Sequence, residues 1–164
     1  MLNELFNKYG SDKGDIHGPQ HKYAKFYESF LSHKRENIEL ILEIGICGGK
    51  SLKTWSDYFP NSNIIGLDID DKSIYNNERV FTFKLDQSDE DQLKHFVSEC
   101  VRREYKFDMI LDDGSHHMLD QQITLGHLFP LLKSGGIYIL EDLHTSLADS
   151  GFGLYGKHLD IQES

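Results

Sequence analysis

Residues 38–59 constrain this chain more than any other stretch. An apolar run over 38–46 passes into Glu43-Ile44-Gly45-Ile46-Cys47-Gly48-Gly49-Lys50-Ser51, after which Leu52, Trp55 and Phe59 recur at helical spacing. The pattern predicts a strand, a glycine loop and a helix. Glycines let such a loop turn tightly and approach a ligand with no Cβ in the way. Alone the loop is a weak signal, because the dinucleotide fingerprint Gly-x-Gly-x-x-Gly and the Walker lysine pattern are both absent. A tight turn without a ligand accounts for it too.

The rest of the chain supplies the context. Further apolar runs at 63–69, 79–86, 107–113 and 136–143 alternate with helical patterns. Leu93, Phe96, Val97, Cys100 and Val101 mark one helix face, with Ser88 as its expected N-cap and Asp91 three residues on. Ile123 and His127 belong to a further helix that stops near Pro130. Strands buried on both faces and joined by helices imply βαβ units, so the expected fold is α/β, a doubly wound parallel sheet with helices on both faces. At 164 residues the chain is sized for one domain. Ligands of such sheets gather beyond the carboxyl ends of the strands.

Two further acids fall at such ends. Asp68 closes the second run, where a carboxylate can accept from ribose hydroxyls, and Asp86 closes the third, followed by Gln87. Any one of them can be a helix cap or a solvated strand end. Their serial order with the glycine loop is harder to ascribe to chance.

A second constellation, Asp112-Asp113-Gly114-Ser115-His116-His117, follows the fourth run, and Glu141-Asp142 follows the fifth. Asp113, Glu141 and Asp142 can offer a hard divalent cation such as Mg²⁺ three oxygen ligands. A cation there would acidify a substrate hydroxyl, and a neighbouring imidazole is suited to taking the proton. The plainer reading makes the histidines helix caps and Glu141-Asp142 a solvated strand end. Cys47 and Cys100 are not placed for a zinc tetrad, and they read as reduced thiols.

On these residues the chain resembles class I S-adenosylmethionine-dependent methyltransferases, which have a Rossmann-like sheet. The resemblance implies cofactor binding by Glu43, Gly45, Gly49, Ser51, Asp68 and Asp112, with Asp86 and Gln87 on the adenine side; Cys47 stands where many members have glycine. More narrowly, residues 107–113 and 135–142 resemble metal-dependent O-methyltransferases of the macrocin and mycinamicin sugar type. Further shared motifs are Lys8-Tyr9-Gly10-Ser11-Asp12-Lys13, His21 and Tyr23, Asp-Asp-Gly-Ser-His, and Glu-Asp with Thr145-Ser146. The resemblance implies Mg²⁺ held by Asp113, Glu141 and Asp142, His116 as general base, and a hydroxyl acceptor on a sugar of a natural product or surface polysaccharide.

Residues 1–35 are expected to form a helical segment and 36–164 the cofactor-binding domain. Phe26 and Phe30 are expected to pack on the sheet, and the Ser11-Asp12-Lys13 loop with His21 and Tyr23 either packs there or folds over the cofactor as a lid. Trp55 is expected in the core; His33, His95 and His158 are expected at the surface. The family's last two strands are missing from the pattern of 145–164, so the chain is expected to be a fragment, or to have a rearranged tail or one supplied by a partner. A net charge of −10 disfavours nucleic acid and anionic membranes as partners. A small-molecule or glycan acceptor, a cytoplasmic location and a possible homo-oligomer complete the expectation. Two alternatives stay open: a non-catalytic S-adenosylmethionine-binding or assembly domain, and another nucleotide-dependent enzyme on a similar sheet.

Overall fold

The computed structural model describes residues 1–146. The expectations for His158 and for most of the tail concern 147–164, outside the described residues. The described elements are α1 (Leu2–Tyr9), α2 (Tyr23–Leu31), β1 (Leu40–Ile44), α3 (Lys50–Tyr58), β2 (Asn63–Asp68), β3 (Val80–Lys84), α4 (Glu90–Arg102), β4 (Phe107–Asp112), α5 (Met118–Leu128) and β5 (Leu132–Leu140).

All five strands are parallel, in the order β3-β2-β1-β4-β5. The order reverses between β1 and β4, and the crevice opened there is where open α/β sheets bind ligands. Because successive side chains of a strand point to opposite faces, the inner strands β1, β2 and β4 each feed two cores, whereas the edge strand β3 buries only Val80 and leaves Phe81 and Phe83 exposed. Ile41, Ile64, Met109 and Leu111 pack with Leu2, Phe6, Tyr27 and Trp55 beneath α1–α3. Leu42, Ile65, Leu67 and Ile110 pack with Leu93, Cys100 and Leu128 beneath α4 and α5.

Four expectations need correction. No helix joins β2 to β3: residues 69–79 carry only a short 3₁₀ turn, Ser73–Tyr75, in a polar stretch without helical periodicity. The cap of α4 is Asp89 rather than Ser88; its Oδ1 accepts from the N–H groups of Asp91 and Gln92 at 3.0 and 3.1 Å. Gln92 donates back to Asp89 Oδ2 at 2.7 Å, so the capping pair is Asp89-x-x-Gln92, one residue later than expected. Phe26 is 65% exposed, because the inward face of α2 is Ala24, Tyr27 and Leu31 and position 26 lies a quarter-turn away. Phe30 does pack partly against the core, and Trp55 is fully buried. Finally, β5 begins at Leu132, ahead of the glycine pair, and its register against β4 shifts between Phe107 and Met109.

Residues 1–35 contribute much of the core on one face. Phe6 and Tyr27 meet the Trp55 ring edge-on at 5.1 and 5.6 Å between centroids. Glu28 fastens the same corner, accepting from Leu2 N–H at 2.6 Å and the Tyr58 hydroxyl at 2.9 Å. Behind it, the Arg79 guanidinium donates to the carbonyls of Ser56, Phe59, Pro60 and Ser62, which gathers the chain after α3.

Candidate functional site

A cavity of about 950 Å³ opens beyond the carboxyl ends of the strands. Its floor is the loop after β1. Gly45 has φ +81°, and a Cβ there would lie 2.1 Å from the Asp113 carbonyl oxygen, so close approach to the β4 end requires glycine. Gly49 (φ 67°) leads into α3, and Cys47, also left-handed at φ 41°, adopts the conformation for which glycine would be the easier residue.

Gly45, Ser51, Asp68, Asp86, Gln87, Asp113, His116 and Asp142 all line this one cavity, whereas Glu43, Gly49, Asp112 and Glu141 lie behind its wall. Asp68 holds the glycine loop, accepting from Cys47 N–H at 2.8 Å and Asp70 N–H at 3.0 Å. A carboxylate has about four lone-pair sites, so capacity for ribose hydroxyls is left. Gln87 donates to both Asp112 oxygens at 2.8 Å and accepts from Ser115 N–H at 2.8 Å, which spends its amide on bracing the β4 loop. Burial still pushes the Asp112 carboxyl up to about 6, against the opposing pull of Gln87.

Strand alternation then sorts the acids. Backbone bonding continues past the strands, Asp113 N–H to Ile44 O at 2.9 Å and Glu141 N–H to Asp112 O at 3.0 Å. Glu43, Asp113 and Glu141 therefore stand in a row on the α1–α3 face. Three carboxylates so placed repel one another strongly unless a cation joins them. Lys13, only 2% exposed, is that cation: its Nζ binds Glu141 Oε2 at 2.7 Å and Asp113 Oδ2 more closely still. Burial works against its charge, but attraction by Glu141, Asp113 and Glu43 outweighs this and raises the lysine above its ordinary value. The Tyr27 hydroxyl donates to Glu141 Oε1, and Tyr23 donates to Asp142 Oδ1 at 2.9 Å. Burial drives Glu43 up to about 7, with Lys13 opposing.

On the cavity side, Asp113, His116 and Asp142 can each present a ligand atom within 4.8 Å of the others, a spacing that suits a single metal ion. His116 Nε2 lies 3.6 Å from Asp142 Oδ2 and 4.0 Å from Asp113 Oδ1, while its Nδ1 is buried without a hydrogen-bond partner. His116 and Asp142 are both left-handed, at φ 58° and 56°, a conformation that costs a non-glycine residue about 1–2 kcal/mol and gathers at functional sites. Thr145 ties the two loops together, its hydroxyl donating to the carbonyls of His116 at 2.9 Å and Asp142 at 2.8 Å. The sequence placed Lys13 in a shared motif and, with Tyr23, in a segment that packs on the sheet or caps the cofactor, but did not show that Lys13, Tyr27 and Tyr23 bond the acids of β4 and β5. The usable signal for Lys13 was the surplus of acids at adjacent strand ends.

The sheet order and the cavity at its reversal define a Rossmann-like α/β fold. Over nine-tenths of its length the chain is homologous to sugar O-methyltransferases of the mycinamicin and macrocin type. It is 35% identical over 159 residues to the mycinamicin VI 2''-O-methyltransferase of Micromonospora griseorubida, covering 93% of this chain and 38% of that protein. With the demethylmacrocin O-methyltransferase of Streptomyces fradiae the identity is 36% over 159 residues, again 93% and 38% of the two chains. The MycE methyltransferase of the mycinamycin pathway, solved in complex with Mg and SAH, superposes with a TM-score of 0.81 at 34% identity, over 93% of this chain and 38% of that one. The chain thus spans less than two-fifths of the length of these relatives. No family model matches it.

Proposed function

We propose that this chain forms the S-adenosylmethionine- and Mg²⁺-binding part of an O-methyltransferase that acts on a sugar hydroxyl of a natural product or surface polysaccharide. The observation that carries the reading is one cavity lined both by the glycine loop with Asp68 and by Asp113, His116 and Asp142. The two groups of residues stand where a donor and an acceptor would have to meet. The relatives' named reactions support the same reading.

Gly45, Ser51, Asp68, Asp86 and Gln87 would hold the cofactor, with Gln87 also bracing the β4 loop and Glu43, Gly49 and Asp112 supporting the loops from behind. Asp113 and Asp142 would hold the cation, and Glu141 would join them once its oxygens are released from Lys13 and Tyr27. When bound, the cation supplies acidification and orientation of the acceptor hydroxyl, and the cofactor supplies the methyl group. His116 then accepts the hydroxyl proton at Nε2, the nitrogen nearest the two aspartates. Methyl transfer is an in-line displacement, so positioning and deprotonation carry most of the rate. Residues 1–35 would act as a cap over the cofactor, because Gly10–Lys13 line its cavity. The partner proposed is a small-molecule or glycan acceptor, with homo-oligomer formation and a cytoplasmic location as further parts of the reading. Among the described residues no helix is long and apolar enough to cross a membrane.

The test is transfer of labelled methyl from S-adenosylmethionine to glycosylated acceptors, with and without a chelator. Chelator-sensitive labelling of the sugar is expected. Cofactor binding with no transfer to any acceptor would favour the non-catalytic alternative.

A further inference from the structure

We propose that Lys13 is a built-in competitor of the divalent cation: its ammonium occupies the carboxylates that the cation needs, so that cation uptake displaces it and the loop that carries it. The inference rests on the cation site proposed above.

The geometry leaves little room for both charges to be accommodated unchanged. Asp113 is shared, with Oδ2 on Lys13 and Oδ1 facing His116. Both oxygens of Glu141 are spent, Oε2 on Lys13 and Oε1 on the Tyr27 hydroxyl. The Lys13 side chain is only 3% exposed, so its charge is compensated by these carboxylates rather than by water, although the residue borders the cavity. A dication arriving at Asp113 and Glu141 would meet the ammonium at close range in a site that water screens poorly. The lysine is tethered to a segment whose neighbours Gly10, Ser11 and Asp12 line the same cavity. Its departure would therefore move part of the cofactor wall, and the two ligands would be linked through one side chain.

The measurement is calorimetric titration of Mg²⁺ and Mn²⁺ into the full chain and into Lys13→Met, Lys13→Gln and Lys13→Arg. The neutral variants are expected to bind the cation about tenfold tighter or more, from removal of one unit charge near the dication. Their melting temperature without metal should fall, and saturating Mg²⁺ should restore it. Lys13→Arg, which keeps the charge, should bind no more tightly than the unaltered chain. Folded neutral variants whose affinity is unchanged or weaker would overturn the inference while leaving the cation site standing. So would neutral variants that stay unfolded at saturating Mg²⁺, because the cation should then replace the ammonium. Uptake of no cation by any of the four proteins would overturn the cation site itself.

Discussion

His116 is the residue on which the proposed chemistry turns, and it is reached by an unfavourable backbone conformation shared with Asp142. Replacing it with alanine is expected to lower methyl transfer by about 10²–10⁴-fold, the range for a lost general base, with S-adenosylhomocysteine affinity nearly unchanged in calorimetry. If cofactor affinity disappeared with it, His116 would be a binding residue instead. Asp113→Asn should remove both cation uptake and activity, and an active chelator-resistant variant would speak against the cation. The identity of these residues was legible because polar and acidic groups at the ends of apolar runs stand out against the pattern. What each carboxylate bonds to was not legible. Glu141 and Asp142 are neighbours in sequence, yet one is buried against Lys13 and Tyr27 and the other faces the cavity. Strand alternation puts the two on opposite faces, but the partner that compensates the buried one is a lysine over a hundred residues away, which no local pattern encodes.

Elements rather than single residues decide how firmly the site is held. Arg79 links the end of α3 to the start of β3, and Arg79→Met should lower stability by about 2–3 kcal/mol by leaving several carbonyls without their charged donor, measured by urea denaturation. Glu28 joins α1, α2 and α3. Burial works against its ionisation, but the Leu2 N–H and the Tyr58 hydroxyl hold its carboxyl below the ordinary glutamate value. A depressed folded-state value means stability that is present above the ordinary value and lost as pH falls through the folded one. Glu28→Gln is therefore expected to melt lower than the unaltered chain at pH 7, with the gap closing as the pH is taken below about 4. A gap independent of pH would mean that the charge contributes nothing. At this scale the strands were legible from their apolar runs, but the two-sided burial expected of them fails at the edge strand β3, where Phe81 and Phe83 are exposed. Within the helical segment expected over 1–35 the bounds of α1 were not legible: eight residues are too few for a periodic signal, and its buried Leu2 and Phe6, the latter against Trp55, anchor it. The turn between β2 and β3 likewise escaped a reading that expected a helix in every crossover.

For the molecule as a whole, the two halves of the sheet carry different tasks. β2 and β1 present the glycine loop and Asp68; β4 and β5 present the acids and His116; the reversal of strand order between β1 and β4 makes them face one cavity. The general architecture followed from the alternation of elements, and packing of the N-terminal aromatics was expected in part, whereas the contribution of residues 1–35 to the acid cluster was not. The most direct test is competitive calorimetry of S-adenosylhomocysteine and NAD with the same preparation, repeated for Asp68→Ala. The account predicts one S-adenosylhomocysteine site, no heat from NAD, and loss of the site in Asp68→Ala with the fold retained. Binding of NAD in preference to S-adenosylhomocysteine would contradict it.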